Sequence, residues 1–457
     1  MQPRDPNLIV TRFAPSPTGM FHVGGIRSAL YNYLYARKHG GVYILRCEDT
    51  DPVRSKKEYE EYFLNVFSWL GLEYDEYYRQ SERTAIYRTY LERLIEEGKA
   101  YISKEEPQEE GKRSEVIRFK NPNKKLTFHD EVLGDITFDT TELGDFVIAR
   151  ELDSPIYHFT VVVDDHEMGV THIIRGQEHV SNTPRQILIQ EAIGAKRPVY
   201  AHASIIMNEE RAKLSKRDPT VRPALEYSAE GYLPDAMLNF MALLGWSPGD
   251  DREIFSKQEL VQAFSLERMQ KPGAVFNPDK LEWINKEHIK QMERGALERS
   301  LRSFLTDEIT TLPGWSEEKF SRIVPIIMER LNHFGELRTM IEQGELSYYF
   351  SRPTFTDPLL IHWKANREDP TLRLRTLQHL SHARNTLLSF QGDWSKDILK
   401  EQLWAYADQN GRGDVLWPIR YALSGKERSP DPFQLMEILG KDESLSRLQH
   451  AEEILRA

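Results

Sequence analysis

Hydrophobic positions keep both a strand and a helix period in the first half of the chain and a helix period alone in the second. An apolar run, Leu8, Ile9 and Val10, leads into the turn-rich stretch TRFAPSPTGMFHVGG, and Gly24 and Gly25 then open IRSALYNYLYARKHG. There Ile26, Leu30, Tyr33 and Leu34 recur at helix spacing with Arg37 on the exposed side, so the pattern predicts strand, turn and helix start. VYILR (42–46) predicts a short buried strand with an acidic tip, Glu48, Asp49, Thr50 and Asp51. In KKEYEEYFLNVFSWLGL, Tyr59, Phe63, Val66, Phe67 and Leu70 form one helical face that stops at Gly71. The acidic tip before it reads as a contact for a cation or ammonium at the strand end, or, at Asp51-Pro52, as the N-cap and first turn of this helix, and both can hold. SERTAIYRTYLERLIEEGKAY predicts another amphipathic helix, ended by Gly98.

From 101 to 154 the character changes. KEEPQEEGKRSE is charged and turn-rich, and VIRFK, KLTFHDEVLG, DITFDTTELG and DFVIAR read as short strands between Gly and Asp turns. This pattern predicts a subdomain inserted in a nucleotide-binding fold, with or without a ligand of its own. The parallel sheet resumes at Pro155. VVV (161–163) and THIIR (171–175) are strand-like, the first ending in Asp164, Asp165 and His166, the second in Arg175, Gln177, Glu178 and His179. PRQILIQEAIGA predicts a helix to Gly194, and helical spacing dominates from about 220 onward. LWPIRYALSG and PDPFQLMEILGK each carry proline near the expected start and glycine after the end. The expected fold class is α/β: a Rossmann-like domain in two halves (1–100 and 155–219) around an α+β insertion (101–154), followed by all-α domains (220–300 and 301–457).

Composition narrows the class. At 457 residues the chain can bury several cores, and no segment is low-complexity. Its longest apolar runs, such as MLNFMALLGW, are far short of the ~20 residues of a membrane span, so no membrane partner is expected. MQPRDPNLIV lacks the basic flank, apolar core and cleavage site of a secretory leader. Cys47 is the only thiol, which excludes internal disulfides and points to a reducing, cytoplasmic compartment. A net charge of −11 argues against a protein that simply coats nucleic acid, and leaves an RNA enzyme open because steering depends on where the basic residues lie.

The turn at 15–25 is a natural phosphate site. Glycines let backbone approach a ligand, and a helix N-terminus offers free N–H groups. His22 on that turn can donate to a phosphate oxygen, or be a surface residue on a tight turn. The stretch carries neither a dinucleotide fingerprint nor a Walker loop. PSPTGMFHVGG resembles the His-Ile-Gly-His signature of class I aminoacyl-tRNA synthetases, in the form found in glutamyl-tRNA synthetases, with Gly25 in place of the second histidine. AKLSKRD, by itself readable as a solvated basic loop, is similar to the Lys-Met-Ser-Lys-Ser signature and follows in the order that class requires. YHFTVVVDDHEMGVTHIIRGQEHVSNTPRQ matches the glutamyl pattern along its length. The resemblance covers almost the whole chain and is of the bacterial type, whose tail is an α-helical anticodon-binding region rather than the β-barrels of eukaryotic-type and glutaminyl relatives.

That resemblance implies a two-step reaction. The α-carboxylate of L-glutamate attacks the α-phosphorus of ATP, releasing pyrophosphate, and the terminal adenosine of tRNA(Glu) then attacks the glutamyl-adenylate; in the family the first step is helped by bound tRNA. It places His22, Lys213 and Lys216 on the phosphates as catalytic groups, and His22, Gly24, Gly25, Glu178 and Lys216 on ATP. Arg12 and Arg175 suit the side-chain carboxylate of glutamate, Glu48 its ammonium, and Ala14, Ser16 and Tyr157 line the same pocket. The signatures run from Pro15 to Gly25 and from Lys213 to Arg217. Val161 stands where some relatives place a polar residue. Mg2+ accompanies ATP, held by phosphates and water. In the family the insertion holds the tRNA acceptor end, sometimes with a zinc site; this insertion has no cysteine, so no zinc is expected. The Asp164-Asp165-His166 cluster reads either as a metal site or as a short acidic turn, and no protein-held metal is expected. A monomer is expected, and charging of tRNA(Gln) as well is left open. The competing readings are a paralogue that binds tRNA without activating an amino acid, a glutaminyl enzyme, and the short relative that glutamylates a modified tRNA base.

Overall fold

The computed structural model describes residues 4–5, 7–105, 115–214, 222–355, 357–363 and 371–457. It divides into two compact units, Met1–Gln291 and Met292–Ala457.

In the first unit, strand β1 (Val10–Phe13) is followed by helix α1 (Val23–Lys38), β2 (Val42–Cys47), α2 (Lys57–Leu70), β3 (Glu76–Arg79) and α3 (Thr84–Glu96). The three strands form a parallel sheet in the order β1-β2-β3. Next come β4 (Ala100–Lys104), β5 (Glu115–Phe119), β6 (Lys125–Asp130), β7 (Gly134–Asp139) and β8 (Phe146–Ala149). The chain then returns through α4 (Tyr157–Glu167), β9 (His172–Gly176), α5 (Thr183–Ile193) and β10 (Val199–Ala203), and β9 and β10 pair in parallel. The Val10 carbonyl accepts from the Thr171 N–H at 3.0 Å, and the Val10 N–H donates to Thr171 Oγ1 at 2.8 Å. These bonds set β1 beside the entry to β9. Strand order therefore reverses between β1 and β9, the place where open α/β sheets bind ligands beyond their strand ends.

The strands expected between 115 and 149 are all present, in two separate sheets. β4, β5 and β8 form an antiparallel sheet, while the β6–β7 hairpin adds to the outer edge of β10 through Asp130 and Tyr200.

Four local expectations need correction. VVV is not a strand but the middle of α4. Phe159, Val161, Val162 and Val163 are all buried there, so the helix shows no period and its β-branched run imitates a strand. Asp51 does not cap α2, which begins six residues later at Lys57. Its Oδ1 instead accepts from Val53 and Arg54 N–H at 3.1 and 3.3 Å, closing a separate turn. Helix α1 is not one-sided, because Ala29 to Leu34 are buried without interruption between the sheet and α7, the second of four later helices: α6 (Ala224–Ala229), α7 (Pro234–Leu243), α8 (Lys257–Ala263) and α9 (Pro278–Lys290). The last concerns Pro418, which lies inside the helix Arg412–Ser424 rather than near its start.

The second unit carries helices and no strand among its described residues. Arg447, buried on the helix Lys441–Arg456, donates to the carbonyls of Tyr348 (2.7 Å), Leu423 (2.6 Å) and Ser351 (3.1 Å). One guanidinium thus ties three segments of that unit together.

Candidate active site

At the strand reversal lies a cavity of about 620 Å³ lined by Arg12, Ala14, Ser16, His22, Gly24, Gly25, Glu48, Tyr157, Val161, Arg175, Glu178 and Lys213. The fold thus brings together, from β1, the turn, α1, β2, α4 and β9, every described residue expected at the ligand. Pro15 is outside the lining, yet its carbonyl accepts from the Glu48 N–H at 2.9 Å and so ties the turn to the tip of β2. Lys216 and Arg217 lie outside the described residues. Their flanks converge on the site: Lys213 and Leu214 line the cavity, Leu214 N–H donates to Ile206 O at 2.9 Å, and Pro223 bridges to His22. The two signatures, far apart in sequence, therefore meet at one place.

His22 is the N-cap of α1 in extended conformation, and its side chain does not cap the helix. Gly25 has a packing reason to be glycine: a Cβ there would come within 2.3 Å of the Phe21 ring, which packs against Phe13 and Phe67. At Gly24 a Cβ would meet nothing closer than 3.7 Å, so no internal contact demands glycine.

The cavity floor is a buried ion network that the sequence reading missed. Arg46, fully buried in β2, lies 2.8 Å from Asp165, 3.1 Å from Glu48 and 3.7 Å from Asp164. Asp165 also holds Arg12 at 3.1 Å, and Asp164 is held by Arg83 (2.7 Å), Gln80 (2.9 Å) and Tyr87 (2.8 Å). The acidic pair expected to end a strand therefore faces inward from α4 and is occupied by arginines. Burial works against the Arg46 charge, and Asp165, Asp164 and Glu48 outweigh it, raising its pKa. Burial likewise raises Asp165, but Arg12 and Arg46 prevail and hold it below the usual carboxylate range. At Glu48 burial wins over Arg46 and Arg12, and its pKa is raised. A charged residue inside the apolar run VYILRC was the one sequence signal for this network.

Arg175 differs from Arg12, Arg46 and Arg83. It donates to His202 Nε2 (3.1 Å) and to Thr183 Oγ1 (2.8 Å), and no carboxylate pairs with it among the described residues. Its Nη1 is buried without a hydrogen-bond partner there. Burial pulls its pKa down, although a guanidinium stays charged in proteins. Arg12, Arg46 and Arg83 balance Glu48, Asp164 and Asp165, whereas Arg175 and Arg27, which also line the cavity, have no carboxylate paired with them among the described residues; Arg27 is held instead by the carbonyls of Ser204 and Leu244. A buried, uncompensated cation is costly unless an anion comes to it. The cavity offers a guanidinium at Arg175 and a carboxylate at Glu48, with His22, the start of α1 and Lys213 also in its lining.

The catalytic-domain model of class I tRNA synthetases (E and Q) matches residues 8–115 and 104–283, and the anticodon-binding domain model matches 296–452. Glutamate–tRNA ligase of Desulforamulus reducens is 35% identical over 97% of this chain and 99% of its own length. Glutamate–tRNA ligase 1 of Alkalilimnicola ehrlichii is 39% identical over 97% of each chain. The crystal structure of a glutamate tRNA ligase from Elizabethkingia meningosepticum in complex with its amino acid superposes with a TM-score of 0.85, at 31% identity, over 98% of this chain and 99% of that one. With both signatures at one cavity and these likenesses along its whole length, the chain belongs to the class I tRNA synthetase family, in its glutamate–tRNA ligase branch.

Proposed function

We propose that the chain ligates L-glutamate to the 3′ end of tRNA(Glu) through a glutamyl-adenylate, and the observation that carries the amino-acid choice is the guanidinium of Arg175, at the cavity with Nη1 unpartnered and no carboxylate against it among the described residues. Arg175 and Arg12 receive the side-chain carboxylate and Glu48 the ammonium, which sets the α-carboxylate toward the start of α1. Tyr157, Ala14 and Ser16 line the pocket, and Val161 adds an apolar wall. His22, Lys213 and Lys216 stabilise the charge that builds on the phosphates as the carboxylate attacks, and Gly24, Gly25 and Glu178 receive the adenosine. Positioning and charge neutralisation supply such a reaction without a covalent nucleophile. Magnesium fits as part of the ATP substrate, held by phosphate oxygens and water. Among the described residues no group of three or more metal-ligating side chains forms a cage, and Asp164 and Asp165 are taken by arginines.

The antiparallel sheet around β5 and the β6–β7 hairpin are assigned to the tRNA acceptor end, and the anticodon contacts to the second unit. We read the protein as a cytoplasmic monomer that needs no zinc; among the described residues no helix is long and apolar enough to cross a membrane.

The test is aminoacylation of purified tRNA(Glu) with glutamate and, separately, glutamine. Charging with glutamate and rejection of glutamine are expected, because glutamine leaves Arg175 uncompensated. Equal use of glutamine would overturn the role of Arg175, and no charging at all would favour a tRNA-binding paralogue. Glutamate-dependent pyrophosphate exchange is expected to be feeble until tRNA is added. Charging tRNA(Gln) in parallel decides whether that tRNA is also a substrate.

A further inference from the structure

The guanidinium that defines the cavity is itself aimed by two groups that do not line it. Arg175 Nε donates to His202 Nε2 at 3.1 Å, and His202 Nδ1 stands 2.6 Å from Asp130 Oδ2. His202 and Asp130 are fully buried. A guanidinium N–H can only donate to a bare nitrogen, so His202 Nε2 is the acceptor and Nδ1 carries the proton that goes to Asp130. Asp130 has no freedom to do otherwise. Its Oδ1 accepts from the backbone N–H groups of Val132 (3.0 Å), Leu133 (2.9 Å) and His202 (3.3 Å), which leaves Oδ2 facing the imidazole. Asp130 ends β6, outside the strands that line the cavity, and the β6–β7 hairpin is docked on β10 by Glu131 N–H donating to Tyr200 O at 2.9 Å.

We propose that Asp130 and His202 are positioning residues for the reaction: a carboxylate–imidazole–guanidinium chain fixes the Arg175 fork through Nε, so that Nη1 is the edge presented to the substrate carboxylate. The proposal rests on the reading of Arg175 as the group that binds the glutamate side chain. Thr183 holds Nη2, at 2.8 Å, and completes the orientation. Burial lowers the His202 pKa against the pull of Asp130, in keeping with a neutral ring beside a permanent cation. The competing role, a staple between β6 and β10, needs only the Asp130–His202 bond and gives no part to Nε2.

Substitutions separate the two roles because they keep or remove single atoms. His202→Asn retains an N–H near Nδ1 for Asp130 and deletes the acceptor for Arg175; His202→Gln reaches the Nε2 position with an amide oxygen. KM for glutamate is expected to rise about 10–100-fold in His202→Asn, the cost of losing one hydrogen bond to a charged group, and to recover most of that in His202→Gln. KM for ATP is expected to stay within about twofold in both. In Asp130→Asn the three backbone bonds keep the amide oxygen in place, so the amide nitrogen donates to His202 Nδ1. The ring proton then moves to Nε2 and faces the Arg175 N–H. Side-chain 15N NMR of His202 is expected to show the Nδ1–H tautomer in the wild type and the Nε2–H tautomer in this variant, with the same rise in glutamate KM. Equal glutamate KM in His202→Asn and His202→Gln, or an Nε2–H tautomer in the wild type, would overturn the positioning role and leave the staple. Arg175→Lys is the arm that tests the underlying reading: an unchanged glutamate KM there would remove Arg175 from substrate binding and the proposal with it.

Discussion

Arg46 reaches no substrate in this account, yet the site depends on it. Removing it leaves Glu48 without its paired arginine in a buried place and takes one of two arginines from each of Asp164 and Asp165, which keep Arg83 and Arg12. Breaking such a buried pair typically costs about 3–5 kcal/mol. Arg46→Ala is therefore expected to lower the urea midpoint far more than Arg37→Ala, whose salt bridge to Asp75 is part-exposed; equal losses would deny the network its structural weight. Lys216 poses the opposite case, a residue proposed for chemistry alone. Lys216→Ala and His22→Ala are each expected to slow glutamate activation ~100–1,000-fold with tRNA affinity little changed, and the double variant to fall short of the product. Single-turnover kinetics decides it, and normal activation with weakened tRNA binding would make the KLSKR signature an RNA clamp. Cys47 completes this scale. Burial pushes its thiol up to about 12, with Asp49 and Glu60 adding to the shift, so it offers no thiolate at neutral pH. Iodoacetamide is expected to leave the native enzyme active and unmodified by mass spectrometry; rapid alkylation with loss of charging would contradict that burial.

Among the elements, α1 shows how sequence and packing divide the work. Alanine in a helix is ordinarily better than glycine by about 1 kcal/mol. At Gly25 the added methyl would run into Phe21, and overpacking of that kind costs roughly 1–3 kcal/mol. Gly25→Ala is therefore expected to lose stability on balance and to slow activation, since the helix end carrying His22 must shift. A gain in melting temperature with full activity would show that the ring moves aside freely. Helix α4 makes the complementary point, because its Val161–Val163 run has strand-like chemistry and helical structure. What holds it is burial on every side together with Asp164 and Asp165 turned toward arginines from β1, β2 and the segment before α3, partners no local window contains.

At the scale of the molecule, buried histidines set the response to acid. Burial holds His158 and His172 down to about 4. In the unfolded chain a histidine titrates near ~6.5, so between those values the unfolded state binds the extra protons. Stability is then fully present above ~6.5 and falls as pH drops toward ~4. Urea unfolding is expected to show a clear fall in midpoint from pH 7.5 to pH 5, and His172→Gln a shallower one. An identical pH slope in the variant would mean that His172 is already protonated in the fold.

The sequence by itself determined the class of fold, the helical character of the tail and many of the residues that line the cavity, though not Arg27 or Ser28. The first two follow from local patterns, Pro and Gly turns and helix period; the cavity residues were legible through the resemblance of two short signatures and of the block at 157–186 to those of the family. It did not disclose β3, β4 or β10, which are short, half-polar or marked by a single alternation such as VYAHA, where neighbours rather than propensity make the strand. Nor could it show that Arg12, Arg46 and Arg83 are neutralised while Arg175 is not. A charge becomes a binding group or a structural one according to what is packed against it. Arg46 and Asp165 stand 119 residues apart in the chain and 2.8 Å apart in the fold, and only the tertiary structure closes that distance.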